Sequence, residues 1–532
     1  MPVFEVRRFC GPGSQVGSAA FRGGAGRSDV CPPSRKTPPW KAVLPVWTSL
    51  GSTKVAYAWS VCLLVPCFFL LWGCAVGPDF KSPKMPVPDQ WVGAPKSPGI
   101  EVSASADQTQ DLVQWWKNFD DPALDSLIER AIASNLDLAL AKSRIRQARA
   151  ARGIVASGLW PQLDGSASYQ RRHAAGVGGA GPERNLFQIG LDAAWEIDVF
   201  GGIRRNVEAS NADIEAAHED RRDVLVSLVA EMGTSYALLR GTQQEIAIAR
   251  RNLAAQRRTA DITRKRYEAG FVSKLDVTNA DAQAATTESL IPPLESTAAG
   301  TLYSMSLLLG QEPGSLTEEL STESPIPSTP PTVPVGIPSD LLRRRPDIRR
   351  AEAQIHAATA RIGVATADLF PKFSLTGSLG FSSTDLAMAL NWTQSRTWSF
   401  GPSVTWPIFQ AGKILSNIEV QNALEEQALL TYQKVVLSAL NEVETALVAY
   451  AKEREHYTAL EEAVRNNRQA VDLSMQLYVA GRTDFLNVLT AQRSLFVSEE
   501  ALAQSSRALT TNLIAIYKAL GGGWSSTLEE AK

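Results

Sequence analysis

The second half of this chain repeats the first at a fixed offset, and that duplication restricts its possible folds more than any other feature. Trp195, Ile197, Gly201, Ile203 and Asn206 match Trp406, Ile408, Gly412, Ile414 and Asn417 at a separation of 211 residues. Tyr267, Ala269, Gly270, Leu275, Val277 and Ala280 match Tyr478, Ala480, Gly481, Leu486, Val488 and Ala491 at the same separation. Upstream, Asp137, Ala141, Ile145, Gly153, Leu159 and Pro161 match Asp347, Ala351, Ile355, Gly363, Leu369 and Pro371 at 210. The one-residue change falls between Pro161 and Trp195, which predicts a loop there. A period this long means a duplicated fold and not a solenoid of small units.

Long helices dominate each copy. No proline lies between Pro182 and Pro292, and none follows Pro407. Spans this long, rich in Ala, Leu, Glu, Arg and Gln, suit uninterrupted helix. The pattern predicts helices over 203–267 and 414–478, each about 95–100 Å long at the α-helical rise. Turns at Glu268-Ala269-Gly270 and Val479-Ala480-Gly481 supply glycine stops. Returning helices are expected over 275–309 and 486–520, and shorter ones before the strands over 124–159 and 340–369. Each copy thus reads as one long helix beside two shorter ones laid end to end.

Strands are expected between the first short helix and the long helix. Over 162–170 and 186–196 the pattern alternates, with Leu163, Gly165, Ala167 and Tyr169 expected on one face and Phe187, Ile189, Leu191, Ala193 and Trp195 on another. Phe373, Leu375, Gly377, Leu379 and Phe381 alternate in the second copy, followed by Trp398, Phe400, Pro402, Val404 and Trp406. Segments of about nine to eleven residues with period-two apolarity suit transmembrane β-strands. Alternation alone equally fits a half-buried soluble strand; aromatic ends and a secretion signal favour the membrane. The glycine-rich segments Arg171–Asn185 and Ser382–Arg396 are expected to be extracellular loops. An open sheet edge in lipid leaves backbone groups unsatisfied, so four strands per chain must close with other chains. Two chains give eight strands and a filled interior; three give twelve and a pore.

All five cysteines (Cys10, Cys31, Cys62, Cys67 and Cys74) lie in the first 74 residues, so the rest of the chain needs no thiol chemistry. Val55–Trp72 is apolar, follows Lys54 and ends in Leu71-Trp72-Gly73-Cys74. This describes a secretory signal, and its ending resembles a bacterial lipobox with Cys74 as the lipidated first mature residue. A retained transmembrane anchor is the competing reading. Residues 1–50 follow no secretory logic, and translation is expected to begin nearer Val43–Leu50. Removing residues 1–73 leaves 45 basic against 53 acidic side chains, a net of −8, so the basic footprint of a nucleic-acid binder is absent.

The tandem repeats, the Tyr-x-x-Gly tips and Trp-x-Ile-x-x-x-Gly after the second strand resemble a known family. With them go Leu341-Leu-Arg-Arg-Arg-Pro-Asp-Ile348 and Cys74-Ala-Val-Gly-Pro-Asp-Phe80. Together, over residues 74–522, these look like the TolC-like outer-membrane efflux factors, in the OprM- and NodT-like lipoprotein branch that serves resistance-nodulation-division (RND) pumps. The resemblance implies a mixed α and β membrane protein. Four transmembrane strands per chain would complete a 12-stranded trimeric barrel, continued by a periplasmic α-helical barrel built from the repeat. It implies a homotrimer in the outer membrane, palmitate on Cys74, and as partners a periplasmic adaptor (membrane fusion) protein and an inner-membrane pump. It also implies adaptor contacts at the helix tips through Tyr267, Gly270, Leu275, Asp276, Val277, Tyr478, Gly481, Leu486 and Val488. A periplasmic gate would involve Asp276, Asn487, Thr490 and Arg493, where Asn487 and Thr490 replace residues that are often acidic in the family.

The expected division is a signal region over 1–73, an anchored segment over 74–115, repeat one over 116–321, a linker over 322–338, repeat two over 339–522 and a tail over 523–532. Catalytic signatures are scarce. His173, His218, His356 and His456 are scattered without metal-ligand spacing, so no cofactor or metal is expected. The Gly-x-Gly-x-x-Gly at Gly176, Gly178 and Gly181 joins two strands and does not open a helix, which argues against dinucleotide binding. The leading function is a passive exit duct for small molecules. A type I protein secretion duct and a lipid-anchored structural spacer are the alternatives.

Overall fold

The computed structural model describes residues 75–93, 100–102, 112–176, 179–330, 333–335, 338–388 and 390–525. The signal, Cys74 and most of the tail lie outside the described residues. The described chain opens with β1 (Ile100–Val102), a 3-10 turn at Trp115–Phe119, α1 (Pro122–Ser134) and α2 (Leu136–Ser157). A hairpin of β2 (Gln162–Gly176) and β3 (Gly179–Ile197) feeds α3 (Gly202–Glu268). The chain returns through α4 (Lys274–Ser289) and α5 (Ile291–Leu308) and crosses by α6 (Thr317–Leu320) and β4 (Val333–Val335). The second copy runs through α7 (Pro338–Arg344), α8 (Pro346–Ala367), β5 (Lys372–Ser383), α9 (Trp392–Ser395), β6 (Arg396–Thr405), α10 (Lys413–Val479) and α11 (Phe485–Ala519).

The long helices α3 and α10 have 67 residues each, about 100 Å at the α-helical rise. Their lower ends stop in the same way. Gly270 and Gly481 take φ of 80° and 73°. The amides of Phe271 and Arg482 then reach back to the carbonyls of Arg266 and Leu477 at 2.9 and 2.8 Å. This six-to-one closure needs the left-handed glycine between its ends.

The shorter helices are more broken than the sequence suggests. The returning helix expected over 275–309 divides at Leu290, because Pro292 and Pro293 lack the N–H that would bond back and are tolerated only in a first turn. The helix expected over 124–159 divides at Asn135, whose side-chain oxygen accepts the amides of Asp137 and Leu138 at 2.9 and 3.0 Å. The one expected over 340–369 divides at Arg345, held extended by the following Pro346.

The main sheet is antiparallel, in the order β2-β3-β5-β6. The helices follow the strands they join: α2 packs on α3, α3 on α8, and α8 on α10. In the lower half α4 and α5 lie against α3, and α11 fills the place of α8 between α3 and α10. Strands and helices therefore form one continuous layer four elements wide. Its edges, β2 with α2 and β6 with α10, are unpartnered within the chain.

Two expectations about the strands are corrected. Arg171–Asn185, expected as a loop, continues the ladder, with Arg171 opposite Asn185 and Gly176 opposite Gly179. Arg171 forms an ion pair with Glu183, so charged side chains extend the hairpin where a loop was expected. The apolar sets of adjacent strands also share one face, because directly paired residues in an antiparallel ladder point the same way.

Midway down the long helices the largest core gathers Trp91, Trp115, Trp116, Phe119, Leu127, Ile128, Tyr236 and Tyr517. Trp115 stacks on Tyr517 with ring centres 5.3 Å apart. The stretch from Phe80 to Trp91, the 3-10 turn, α1, α6 and the end of α11 form this collar, and β1 pairs in parallel with β4.

Candidate functional site: a two-faced sheet, a strap and a helical tip

One face of the sheet is apolar across all four strands. The register aligns Ala167, Ile189 and Phe381, then Leu191, Leu379 and Trp398, then Trp195, Leu375 and Pro402. Burial does not explain this face, since Trp398 is 73% and Phe400 71% exposed. The opposite face carries Asp164, Ser166, Asp192, Glu196, Ser374, Thr376, Ser378, Ser399 and Ser403. Serine pairs 374–403 and 378–399 bond across strands at 2.8 Å. An apolar outside and a polar inside is the division a membrane barrel requires.

The apolar band has defined ends. At the top, Tyr169 stacks on Phe187 and its hydroxyl donates to Asn185 at 3.1 Å, where the face turns polar. At the bottom, the Trp195 indole donates to the Leu159 carbonyl at 3.0 Å and the Trp406 indole to the Leu369 carbonyl at 3.1 Å. These bonds are the same contact made once in each repeat. From Phe187 to Ile197 the strand advances about 25 Å along a barrel axis at ordinary tilt, the height of an outer-membrane apolar band.

The residues following Cys74 form a strap that starts at the foot of this band. The Val76 amide donates to Phe200 at 3.1 Å. Buried Arg205 donates to the Val76 carbonyl at 3.1 Å and to Asp79 at 2.7 Å. A Cβ on Gly77 would stand 2.4 Å from the Gly363 Cα, so only glycine lets the strap lie between α3 and α8. Phe80 stacks on His356 at 4.5 Å, and farther down the Val92 and Gly93 amides donate to Glu444 at 2.7 and 2.9 Å.

The Arg-rich run from Leu341 to Ile348 works in the collar. Arg345 makes a fork onto Asp347 at 3.0 and 2.7 Å, reaches Glu442 at 2.7 Å and donates to the Ala519 carbonyl at 2.9 Å, which caps α11. Nearby, Glu219 is nearly fully buried, and one of its oxygens binds both Arg222 at 2.6 Å and Arg349 at 2.9 Å. Its other oxygen has no protein partner. Burial pushes the Glu219 carboxyl above its ordinary value, and the two arginines only partly oppose that rise. The same arginines cover the Trp524 ring, at 4.6 and 5.5 Å from its centre.

At the tip the two matched tyrosines part company. Tyr267 is 42% exposed, whereas Tyr478 is 1% exposed. The Tyr478 hydroxyl donates to Thr263 at 3.3 Å, and its ring packs on Phe485 at 5.8 Å. Arg266 lies 4.7 Å over the same ring and donates to the Tyr478 carbonyl at 2.6 Å. Val488 is likewise buried. Buried Tyr478 and Val488 offer a partner no surface, so within the chain their work is packing. The exposed tip consists of Tyr267, Phe271, Leu275, Val479 and Leu486 around Gly270 and Gly481.

The candidate gate residues are spread over two helix starts. Asp276 closes a capping box, accepting the Ser273 amide at 3.0 Å while the Ser273 hydroxyl accepts the Asp276 amide at 3.3 Å. The Asn487 amide donates to Thr483 at 2.7 Å, and the Thr490 hydroxyl to the Leu486 carbonyl at 2.8 Å. Arg493 alone crosses between copies, donating to Gln283 at 2.5 Å. Gln492 makes a second, buried crossing to Thr259 at 2.9 Å. Sequence reasoning places Arg266 at the tip but misses its contact with Tyr478, and it misses Gln492; the signal for Arg266 is that its counterpart in the other repeat is Leu477.

The chain matches the family model described as outer membrane efflux protein at residues 127–311 and 337–522, once per repeat. It is similar to the solvent efflux pump outer membrane protein SrpC of Pseudomonas putida, 34% identical over 473 residues, covering 87% of this chain and 98% of the relative. It is also similar to nodulation protein T of Rhizobium leguminosarum bv. trifolii, 33% identical over 458 residues, covering 86% and 96%. Among solved structures, the outer-membrane channel OprN superposes with a TM-score of 0.79 at 38% identity, covering 85% of this chain and all of that one.

Proposed function

The chain belongs to the outer membrane efflux protein family, and from that membership we propose that it is a passive duct closed by three copies, the outer-membrane channel component of a tripartite efflux system. The observation that carries this reading is the two-faced sheet: a continuous, exposed apolar band on one side and a serine- and carboxylate-rich wall on the other, with both edges open. Three copies joined from β6 to β2 give twelve strands around a polar lumen, and the helices continue that wall from α10 to the next α2. Exposed Leu415, Val420, Leu424 and Leu430 on one helical edge, and Leu136, Leu140 and Ile154 on the other, supply the apolar surface for the same joints.

In this arrangement the strap places Ala75 beside Gly201, at the junction between the sheet and the helices. A lipid on Cys74 would then meet the inner leaflet of the outer membrane. Relatives carry solvents, or share the fold of a channel, by their names; here the cargo is small molecules handed over by an inner-membrane pump through an adaptor at the exposed tip. The wall holds no tight site, so pore width and lining charge set passage. Asp276, Asn487, Thr490 and Arg493 lie where a periplasmic gate would close, with Arg493 to Gln283 as its latch.

Single-channel recording of the purified protein in planar bilayers tests the duct. Small, rare openings that become larger and more frequent in Arg493→Ala support a latched conduit. Silence from both proteins contradicts it. The anchor is checked separately by labelling cells with radioactive palmitate, which should mark the wild type and leave Cys74→Ser unmarked.

A further inference from the structure

Below the collar, α3 carries cations in adjacent pairs that recur every seven residues: Arg250 with Arg251, Arg257 with Arg258, and Arg264 with Lys265. The first member of each pair is engaged. Arg250 binds Glu295 at 2.6 Å, Arg257 binds Glu288 at 2.8 Å, and Arg264 binds Asp281 at 3.0 Å. The three acids are also seven apart and run in the opposite direction, as two antiparallel helices in coiled-coil register require.

The second members form a separate stripe on the next face of the helix, and all three are exposed. Among the described residues Arg251 and Arg258 make no ion pair, while Lys265 pairs with Asp261 one turn away at 2.8 Å. The stripe starts directly under the collar. An open groove of about 560 Å³ between α3 and α5 is lined by Arg251 and by Ser321 and Glu323 of the collar. Just higher on α3, Arg240 and Gln243 donate to the carbonyls of Thr322 and Leu320. The stripe thus extends the face on which the collar sits, the outside of the helical wall.

The other repeat has no such stripe. The residues 211 positions after Arg251, Arg258 and Lys265 are Glu462, Gln469 and Gln476. Along the two long helices, which have the same length, this stripe is a difference of charge.

We propose that Arg251, Arg258 and Lys265 form a docking rail for an acidic α-helix of a periplasmic partner, one with Asp or Glu at seven-residue spacing. This deepens, and rests on, the adaptor reading above. The spacing selects a helix: cations about 10.5 Å apart along one face meet carboxylates recurring at the same rise, and an antiparallel helix laid along α3, beside α5 and then α4, keeps all three contacts in register. Because the rail occurs once per chain, a trimer has three rails and three chemically different positions facing Glu462. Charges of this exposed kind govern encounter rate and salt dependence more than final affinity.

The test uses the full-length protein in detergent and two immobilised synthetic helical hairpins, identical except that one carries Glu and the other Lys at heptad-spaced outer positions. Wild type should bind the Glu hairpin in preference, and less as salt rises. The Arg251→Glu/Arg258→Glu variant should associate about tenfold more slowly with the Glu hairpin and faster with the Lys hairpin. Bilayer conductance is recorded for both proteins. A wild type that conducts yet binds the two hairpins alike, or binds neither, overturns the rail and leaves the duct standing. An assembled wild type that never conducts removes the duct and the rail together.

Discussion

Arg345 is the residue whose loss should be felt most widely. Its fork onto Asp347, its bond to Glu442 and its cap on the α11 carbonyl join three segments. Arg345→Ala leaves the partly buried Asp347 carboxylate and the Ala519 carbonyl without their donor, while half-exposed Glu442 is free to solvate, which costs about 1–3 kcal/mol. Arg345→Lys keeps the charge, loses the fork, and should fall between; thermal unfolding of the assembled protein checks the order. The Arg-Arg-Arg-Pro run was visible in the sequence, but its task was not, because Glu442 and Ala519 lie 97 and 174 residues away. Glu219 supports a second expectation. Its carboxyl is raised by burial, so its contribution to stability is present below the ordinary carboxylate pKa and is lost as pH rises through the raised value. Above the ordinary carboxylate value of 4.5, acidification should favour stability more steeply in wild type than in Glu219→Gln. Equal slopes would mean that Glu219 titrates normally. The tip tyrosines show the limit of residue-level reading: repetition made Tyr267 and Tyr478 look equivalent, and one substitution, Arg266 against Leu477, buries only the second.

At the scale of elements, periodicity carried the long helices and the strand alternation, since both follow from local residue order. The breaks at Asn135, Leu290 and Arg345 follow from local chemistry too, but a helical pattern running across them hides the cap or proline that ends each segment. Which strand faces coincide was not legible, because register is fixed between strands and not along them. That register now makes a sharp test. Leu379 points to the apolar face and its neighbour Ser378 to the polar one. Leu379→Arg should cost about 2–4 kcal/mol at mid-band, and Ser378→Arg far less. Heat-modifiable mobility on gels should report poor assembly for the first only. Equal tolerance would mean that the apolar face does not meet lipid.

For the whole molecule, the central claim is that the order β2-β3-β5-β6 and the order α2-α3-α8-α10 end at open edges that close on other copies. The duplication foreshadowed this, since a pair of like halves with free ends continues naturally into a ring. Sequence arithmetic supplied the number of copies only through strand count and pore width. Since no cysteine follows Cys74, cross-linking offers a clean measurement. One cysteine placed on β2 and one on β6, scanned along both edges with Cys74 kept as the lipid-blocked first residue, should join subunits on oxidation in intact outer membranes. Our account predicts a covalent ladder of one, two and three chains that stops at three and is complete for the best-matched pair. A ladder ending at two, or cross-links confined to single chains at every pair, would contradict it.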